Sequence, residues 1–214
     1  MEKEVQIQIG KIVLKGKLIV PQDFYGLIIF SHGSGSSRKS PRNQFVADYL
    51  SRRGYSCFLF DLLTESEDEI YSNRFDIELL AERLYLATQE IKAYFSNNDL
   101  PILYFGASTG AAAALIASCK KENKIAGVVS RGGRPDLATA YLHKINVPVL
   151  FLVGGYDVEL LKIHEEILKK ISGKKKLVII PEAGHLFEEK GKLLEVSELA
   201  FHWISKLIPE PNAV

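Results

Sequence analysis

Several common signals are missing from this chain of 214 residues, and each absence excludes a class of protein. There is no Cys-x-x-Cys pair and no His-Glu-x-x-His segment, so neither a metal site nor a cofactor is expected. No apolar run approaches the roughly 18 residues of a membrane span, and no apolar segment follows the charged start, which argues against a signal peptide. A formal net charge of only +1 argues against a general nucleic-acid or membrane-surface role.

Cysteine is scarce, and the two that occur lie in predicted elements of the core. Cys57 falls in a predicted strand and Cys119 in a predicted helix, which is typical of buried, reduced thiols and indicates a cytoplasmic location. Hydrophobic residues make up 47% of the chain, enough for one sizeable α/β domain, and no low-complexity linker divides it. We expect a single domain over residues 1–214; its oligomeric state is not predicted.

Short apolar runs alternate with stretches of helical periodicity along most of the chain. This alternation predicts a mostly parallel, eight-stranded sheet with helices on both faces, opened by an antiparallel pair. Only about sixteen residues, 131–146, separate the sixth and seventh strands, too few for a cap domain. The helical stripes, which include Phe45 and Trp203, are expected in the core. The predicted strands are 5–9, 12–20, 27–30, 56–60, 102–105, 125–130, 147–153 and 176–180, and the predicted helices are 41–53, 75–95, 111–119, 158–171 and 193–208.

A serine flanked by glycines lies between a predicted strand and a predicted helix. Residues 106–110 read Gly-Ala-Ser-Thr-Gly, after the apolar run 102–105 and before the alanine-rich stretch 111–119. This is the G-x-S-x-G pattern in the strand–turn–helix context of a nucleophile elbow. Such a sharp turn needs small flanking residues and presents the Ser108 hydroxyl clear of the sheet edge. An ordinary turn whose glycines only permit close packing is the alternative.

An acid and a histidine follow Ser108 in the order that a nucleophile elbow requires. Asp157 comes just after the strand at 147–153, and His185 just after the strand at 176–180. Because parallel strands end at one edge of a sheet, the three side chains are expected there together. A serine hydroxyl needs a base to take its proton, and a carboxylate holds that imidazole in one tautomer. The sequence therefore predicts Ser108 as nucleophile, His185 as base and Asp157 as orienting acid.

Other acids and histidines are weaker candidates for these roles. Asp136 follows the sixth strand and is an alternative for the acid, whereas Asp61 precedes the serine in the chain. His143, His164 and His202 lie in helical or linker segments, where surface or capping roles are expected.

The loop after the first parallel strand is rich in small residues. Residues 31–37 read Ser-His-Gly-Ser-Gly-Ser-Ser and follow the strand at 27–30. An oxyanion hole needs two N–H donors, one from the residue after the nucleophile and one from such a loop. We therefore expect the backbone N–H groups of Ser34 and Thr109 to form it, and we call residues 31–37 the oxyanion loop. The loop lacks the Gly-Lys-Ser/Thr ending of a Walker loop and does not fit G-x-G-x-x-G, which argues against phosphate binding there.

Five stretches together resemble the dienelactone hydrolase branch of the α/β-hydrolase superfamily. More closely, the chain is similar to the stand-alone relatives of a hydrolase module that some bacterial proteins fuse to a phosphoribosyltransferase. The resemblance implies the α/β-hydrolase fold and the triad of Ser108, Asp157 and His185. True dienelactone hydrolases use a cysteine nucleophile where this chain has serine, which argues against the dienelactone substrate itself. The matching stretches are 31–43, 105–110, 130–137, 153–157 and 183–189.

Four arginines lie near the predicted catalytic edge. Arg38 and Arg42 follow the oxyanion loop, whereas Arg131 and Arg134 follow the sixth strand. Guanidinium groups there would suit an anionic substrate through paired hydrogen bonds, and Arg131, directly at a strand end, is the strongest candidate. Alternatively, these arginines pair with nearby acids and only fix loops.

These patterns together predict a serine hydrolase that cleaves a small ester, lactone or thioester through an acyl-enzyme, with an anionic substrate left open. The expected partner is a small-molecule substrate, without nucleic acid or membrane. The alternative is a ligand-binding or regulatory protein that keeps the fold without turnover. Acyl transfer to an acceptor other than water is a further option within the enzyme class.

Overall fold

One mostly parallel sheet runs through the protein. Within residues 1–95 and 99–210, the range that the computed structural model describes, there are eight strands. They are β1 (Glu2–Ile9), β2 (Ile12–Ile19), β3 (Gly26–Ser31), β4 (Tyr55–Phe60), β5 (Ile102–Ala107), β6 (Ile125–Arg131), β7 (Val149–Gly154) and β8 (Lys175–Ile180). Their order across the sheet is β1-β2-β4-β3-β5-β6-β7-β8. The β1–β2 and β2–β4 pairs are antiparallel and the others parallel, which confirms the predicted fold class.

Helices cover both faces of this sheet. The faces are covered by α3, α4 and α5 on one side and by α1 and α6 on the other. Because both faces are covered, β3, β5 and β7 are buried at every residue, and this explains their uninterrupted apolar sequences. The helices are α1 (Pro41–Ser51), α2 (Glu65–Glu69), α3 (Ile77–Lys92), α4 (Thr109–Ala117), α5 (Val158–Ile167) and α6 (Lys192–Leu207), with 3₁₀ segments at Tyr71–Phe75, Lys121–Asn123, Pro135–Lys144 and Leu168–Lys170.

The strands from β3 to β8 all end at the same edge of the sheet, which the sequence predicts to be catalytic and which is called the catalytic edge below. The loops that follow them carry the residues discussed below. Between β6 and β7 the chain forms only the 3₁₀ segment Pro135–Lys144, so no cap is inserted there. No helix among the described residues combines the length and the apolar character needed to cross a bilayer.

Some predicted elements differ from the structure. The helix predicted at 158–171 ends at Ile167, because the chain tightens into 3₁₀ geometry at Leu168–Lys170. The prediction that Phe45 lies in the core is wrong, since its side chain is 43% exposed. The buried side of α1 instead carries Asn43, Val46, Ala47 and Leu50. The predicted domain range 1–214 includes residues 96–98 and 211–214, which lie outside the described residues.

Candidate active site

Ser108 lies in the sharp turn between β5 and α4. Its backbone has φ 52° and ψ −123°, a left-handed conformation that favours glycine and is strained for serine. The flanking glycines are required by close packing. A Cβ on Gly106 would lie 2.4 Å from the backbone of α4, and a Cβ on Gly110 would lie 2.3 Å from carbonyl oxygens at the end of β3. The turn therefore combines tight packing with a strained serine at a helix N-terminus.

The structure brings Asp157 and His185 together. Oδ2 of Asp157 lies 2.7 Å from Nδ1 of His185, which places the Nε2 side of the ring away from the carboxylate. The carboxylate is mostly buried, whereas the imidazole is 41% exposed. Such a pair fixes the ring so that Nδ1 carries a proton and Nε2 is free to accept one.

Ser108 and His185 both contact residues 131–132, where β6 ends. The Ser108 N–H donates to the carbonyl of Arg131 (3.2 Å). A Cβ on Gly132 would lie 3.5 Å from Cε1 of the His185 ring, so the imidazole sits directly against this neighbouring residue. No hydrogen bond joins the Ser108 hydroxyl to the His185 ring in the part of the chain that the structure describes. Catalytic hydrogen bonds of this kind often tighten only when substrate is bound.

The loop that carries His185 is held by contacts that the sequence did not reveal. Its backbone N–H at Gly184 donates to Oε1 of Glu189 (2.8 Å), and the carbonyl of Ala183 accepts from Tyr156 (2.9 Å). The fully buried Phe187 anchors the same loop in the core against α6. The sequence places these residues next to His185 along the chain, but which atoms they bind is decided only when the loop folds.

The two predicted oxyanion donors lie side by side. Thr109 begins α4, where backbone N–H groups lack partners within the helix. The Ser34 N–H, however, donates to Oγ1 of Thr109 (2.8 Å), so this donor already has a partner within the protein. For Ser34 to hold an oxyanion, the Thr109 hydroxyl has to give way or share the N–H.

His32 fixes the start of the oxyanion loop, a role that the sequence did not suggest. Its Nε2 accepts from the Leu62 N–H (3.1 Å), so Nδ1 carries the proton and donates to the Gly33 carbonyl (2.9 Å). Burial lowers the pKa of His32, although contacts with Gly33 and Asp61 partly oppose this effect. The neutral ring thus ties the loop after β3 to the loop after β4.

The alternative candidates have other partners. Asp136, the alternative acid, forms a two-point ion pair with Arg134 (2.9 and 2.7 Å) and no hydrogen bond with His185 among the described residues. His164 is fully buried in α5 against Phe151, so the expectation of a surface or capping role is wrong for it. The periodicity of α5 puts residue 164 on its buried face together with Leu160 and Ile167.

Three of the four arginines near the catalytic edge are paired with acids. Arg38 binds Asp61 (2.6 Å) and Arg134 binds Asp136, as the loop-fixing alternative proposed. Arg42 pairs with the exposed Glu188 on the His185 loop. A substrate role for Arg38 or Arg42 stays a prediction that would have to compete with these carboxylates.

Arg131 differs from the other three arginines. Its side chain is 7% exposed and lies beneath α1, where Nη2 donates to Oδ1 of Asn43 (3.1 Å). No carboxylate forms an ion pair with it within residues 1–95 and 99–210. Burial, followed by repulsion from Arg42, lowers the pKa of Arg131 to about 10, so the group remains cationic at neutral pH.

A groove of about 560 Å³ runs beside the oxyanion loop. Its lining includes His32 and two ion pairs, Lys15 with Glu65 and Arg38 with Asp61. Ser108 is not among its lining residues, so the groove borders the candidate site without containing Ser108. The described residues also hold no cluster of three or more His, Cys, Asp or Glu side chains suited to a metal ion.

Comparison with solved structures finds a relative over nearly the whole chain. The crystal structure of a dienelactone hydrolase from Anabaena variabilis is 46% identical, with a TM-score of 0.89, and the match covers 96% of this chain and 97% of that one. Est1E from Butyrivibrio proteoclasticus (15% identity, TM-score 0.76) and a carboxyl esterase from Bacillus coagulans (13%, 0.75) share the fold. Each match covers 97% of this chain and 99% of the other.

Curated proteins of known sequence give a second comparison. Two proteins of Mycobacterium tuberculosis, from strains CDC 1551 and H37Rv, are each 46% identical over 202 residues and provisionally named phosphoribosyl transferases. The match covers 94% of this chain but 46% of theirs, so the chain spans about half the length of these relatives. No family model matches the chain. On the strength of the Anabaena relative and the shared fold, the chain belongs to the dienelactone hydrolase family of α/β hydrolases.

Proposed function

We propose that the protein is a serine hydrolase that cleaves a small ester, lactone or thioester through an acyl-enzyme. The observation that carries this proposal is the 2.7 Å hydrogen bond between Asp157 and His185, at the edge where Ser108 stands in a strained turn. An imidazole held by a carboxylate is the base that a serine hydroxyl requires. Membership of a hydrolase family supports the same reaction class.

In the proposed reaction, His185 takes the proton of Ser108 as its hydroxyl oxygen attacks the carbonyl carbon. Negative charge then develops on the carbonyl oxygen, where the N–H of Thr109 and the N–H of Ser34 donate to it. The leaving alcohol or thiol receives the proton from His185, and the acyl group stays on Ser108. Water, activated by the same imidazole, releases the acid and restores the serine.

A phosphonate that reacts with activated serines, together with an activated p-nitrophenyl ester, tests the proposal. We expect stoichiometric labelling of Ser108 and a burst of p-nitrophenol, and both should vanish in Ser108→Ala. Ser66→Ala is a suitable control, because this exposed serine lies in α2, where its hydroxyl is hydrogen-bonded to Thr64. Labelling at a different serine in the folded protein would overturn the assignment of the nucleophile.

The same experiment addresses the second candidate function, a ligand-binding or regulatory protein without turnover. The bond between the Ser34 N–H and the Thr109 hydroxyl is the observation that favours it, since it occupies one of the two oxyanion donors. A folded wild-type protein with neither burst nor label would support this candidate. The names of the relatives also make an ester of a phosphoribosyl compound a further substrate to test.

A further inference from the structure

Arg131 is a buried cation without a counter-charge among the described residues. Its Nη2 is bonded to the neutral Asn43, but its Nη1 has neither a hydrogen-bond partner nor contact with solvent. Removing a charged group from water is strongly unfavourable unless an opposite charge or hydrogen bonds compensate. One neutral amide oxygen therefore leaves the Arg131 guanidinium undercompensated.

Arg42, which follows the oxyanion loop in α1, adds a second cation near Arg131. The next residue in α1, Asn43, binds the Arg131 guanidinium, and the positive charge of Arg42 helps to lower the pKa of Arg131. Nη1 of Arg42 reaches the exposed Glu188, but Nε of Arg42 is buried and has no partner. Two buried donors, Nη1 of Arg131 and Nε of Arg42, thus have no hydrogen-bond partner among the described residues.

We propose that Arg131 and Arg42, with Asn43 orienting the Arg131 guanidinium, form a binding site for a compact oxyanion, a carboxylate or a phosphate. Oxygen atoms of such an anion accept two N–H bonds at once and cancel the repulsion between the cations. A single water supplies the hydrogen bonds but not the negative charge. This anion site is distinct from the groove beside the oxyanion loop, whose lining contains neither Arg131 nor Arg42.

The anion site adjoins the proposed reaction centre. The Arg131 carbonyl accepts from the Ser108 N–H, and the next residue, Gly132, contacts His185. The oxyanion is therefore either free in solution or an acidic group carried by the substrate. Binding of a free anion does not depend on the proposed hydrolase activity, whereas the substrate-borne case rests on it.

Glu188 controls access to the anion site. Its side chain is 62% exposed and forms an ion pair with Arg42, so its carboxylate competes with an incoming anion for the Arg42 guanidinium. An ion pair this exposed contributes little to stability, so it opens readily. Removing the Glu188 charge should therefore tighten anion binding, an effect that a purely structural arginine cluster would not produce.

The first test measures the melting temperature of the full chain against inorganic phosphate and acetate, with ionic strength held constant by chloride. We expect a saturable rise in wild type and in Ser108→Ala. Arg131→Gln should raise the half-saturating anion concentration by about ten- to a hundredfold, the range expected for the loss of a charge-assisted hydrogen bond. Glu188→Gln should lower the half-saturating concentration. The matched control is Arg134→Gln, which should bind like wild type because Asp136 already neutralises that arginine.

Equal rises in wild type and Arg131→Gln, or a rise that does not saturate, would overturn the anion site. If Arg131→Gln does not fold, Asn43→Ala removes the orienting amide and should weaken the same binding. A matched pair of esters, one with a free carboxylate and one with that carboxylate as a methyl ester, then shows whether the bound anion is part of the substrate or free in solution. A rise in KM for the acidic ester alone in Arg131→Gln assigns the site to the substrate, whereas phosphate binding without that rise assigns it to a free anion. Binding of neither anion leaves no such site, whatever the ester activity.

Discussion

Hydrogen bonds to the backbone N–H and to the backbone carbonyl of Ser108 hold it in its strained conformation. Its N–H donates to the Arg131 carbonyl, while its own carbonyl accepts from Arg134 (3.2 Å) and Ala111 (3.1 Å). A left-handed conformation of this kind costs a non-glycine residue about 1–3 kcal/mol. The surrounding turn therefore stores strain at the residue proposed to do the chemistry.

Replacing Ser108 with glycine should relieve this strain, whereas alanine should keep it. Both variants lose the hydroxyl, so the comparison isolates the backbone. Glycine gains about 1–3 kcal/mol from strain relief but loses about 0.5–1 kcal/mol in the entropy of the unfolded chain. We expect Ser108→Gly to be more stable than Ser108→Ala by about 1 kcal/mol in urea unfolding. Equal or lower stability of the glycine variant would mean that the serine is not strained.

Asp157→Asn should reduce kcat by up to about 10⁴-fold on an activated ester, because an amide favours the wrong tautomer of His185. Asp136→Asn is the matched control: it removes a carboxylate from the same edge of the sheet, but one that binds Arg134. Ester hydrolysis by both folded variants is the measurement. A larger loss in Asp136→Asn would return Asp136 to the role of the acid.

Stability should fall with acidification because of His164. Burial lowers its pKa below the ordinary value of about 6.5, although the Leu160 carbonyl, Asp136 and Asp157 oppose the shift. The unfolded chain thus binds a proton more readily than the folded protein. The contribution of His164 is complete above pH 6.5 and declines as the pH falls below it.

His164→Asn tests this pH dependence, because an asparagine amide can still donate to the Leu160 carbonyl but does not titrate. The free energy of unfolding should fall less steeply between pH 7 and pH 5 in the variant than in wild type. His32 is also buried and contributes in the same direction, so part of the slope should remain. An unchanged slope would show that His164 binds protons equally in both states.

The residues of the candidate site differ in how far the sequence could predict them. Ser108, Asp157 and His185 follow from chain order and from their places after strands. Glu189, Asn43 and His32 support the site through contacts that form only in the folded protein. No local sequence pattern predicts these contacts. The burial of Arg131 was equally hidden, because its strand end reads as exposed until α1 is packed over it.

Among the elements, β3 and α4 pack tightly against each other at Gly110. A Cβ there would overlap two carbonyl oxygens at the end of β3. Gly110→Ala should therefore lower the free energy of unfolding by about 3 kcal/mol or more. Gly10→Ala is the control: Gly10 has φ 57° but nothing within 4 Å of a new Cβ, so it should lose only about 1–2 kcal/mol. Similar losses at the two positions would contradict the close contact between β3 and α4.

The strands were predicted more reliably than the helices for a physical reason. A strand buried on both faces, such as β5 or β7, must be apolar throughout and is visible as a run. A helix buried on one face shows only a stripe of apolar residues, and the sequence does not reveal how much of that stripe the neighbouring elements cover. Phe45 was therefore misassigned to the core. The acidic α2 has no buried residue, and its capping box at Thr64 and Glu67 went unrecognised.

On the scale of the whole molecule, the catalytic edge is open. No cap is inserted between β6 and β7, and the His185 side chain is 41% exposed. We expect an acetate of 2-naphthol to be hydrolysed within about tenfold of phenyl acetate in kcat/KM, a difference below about 1.4 kcal/mol in activation free energy. Ester hydrolysis with the two acetates checks this; a much larger loss for the bulkier alcohol would indicate a closed pocket.

The exposure of His185 also bears on the fate of the proposed intermediate. A lid would restrict the second half-reaction to a trapped water, but an unroofed imidazole can activate whatever hydroxyl or amine diffuses to it. The acyl group would then be shared among competing acceptors in proportion to their concentration and reactivity. Adding methanol or glycerol to an ester assay would divert part of the product from free acid to a new ester without slowing formation of the intermediate. The cell's supply of acceptors, as much as the chain itself, would then decide whether the protein degrades esters or remakes them.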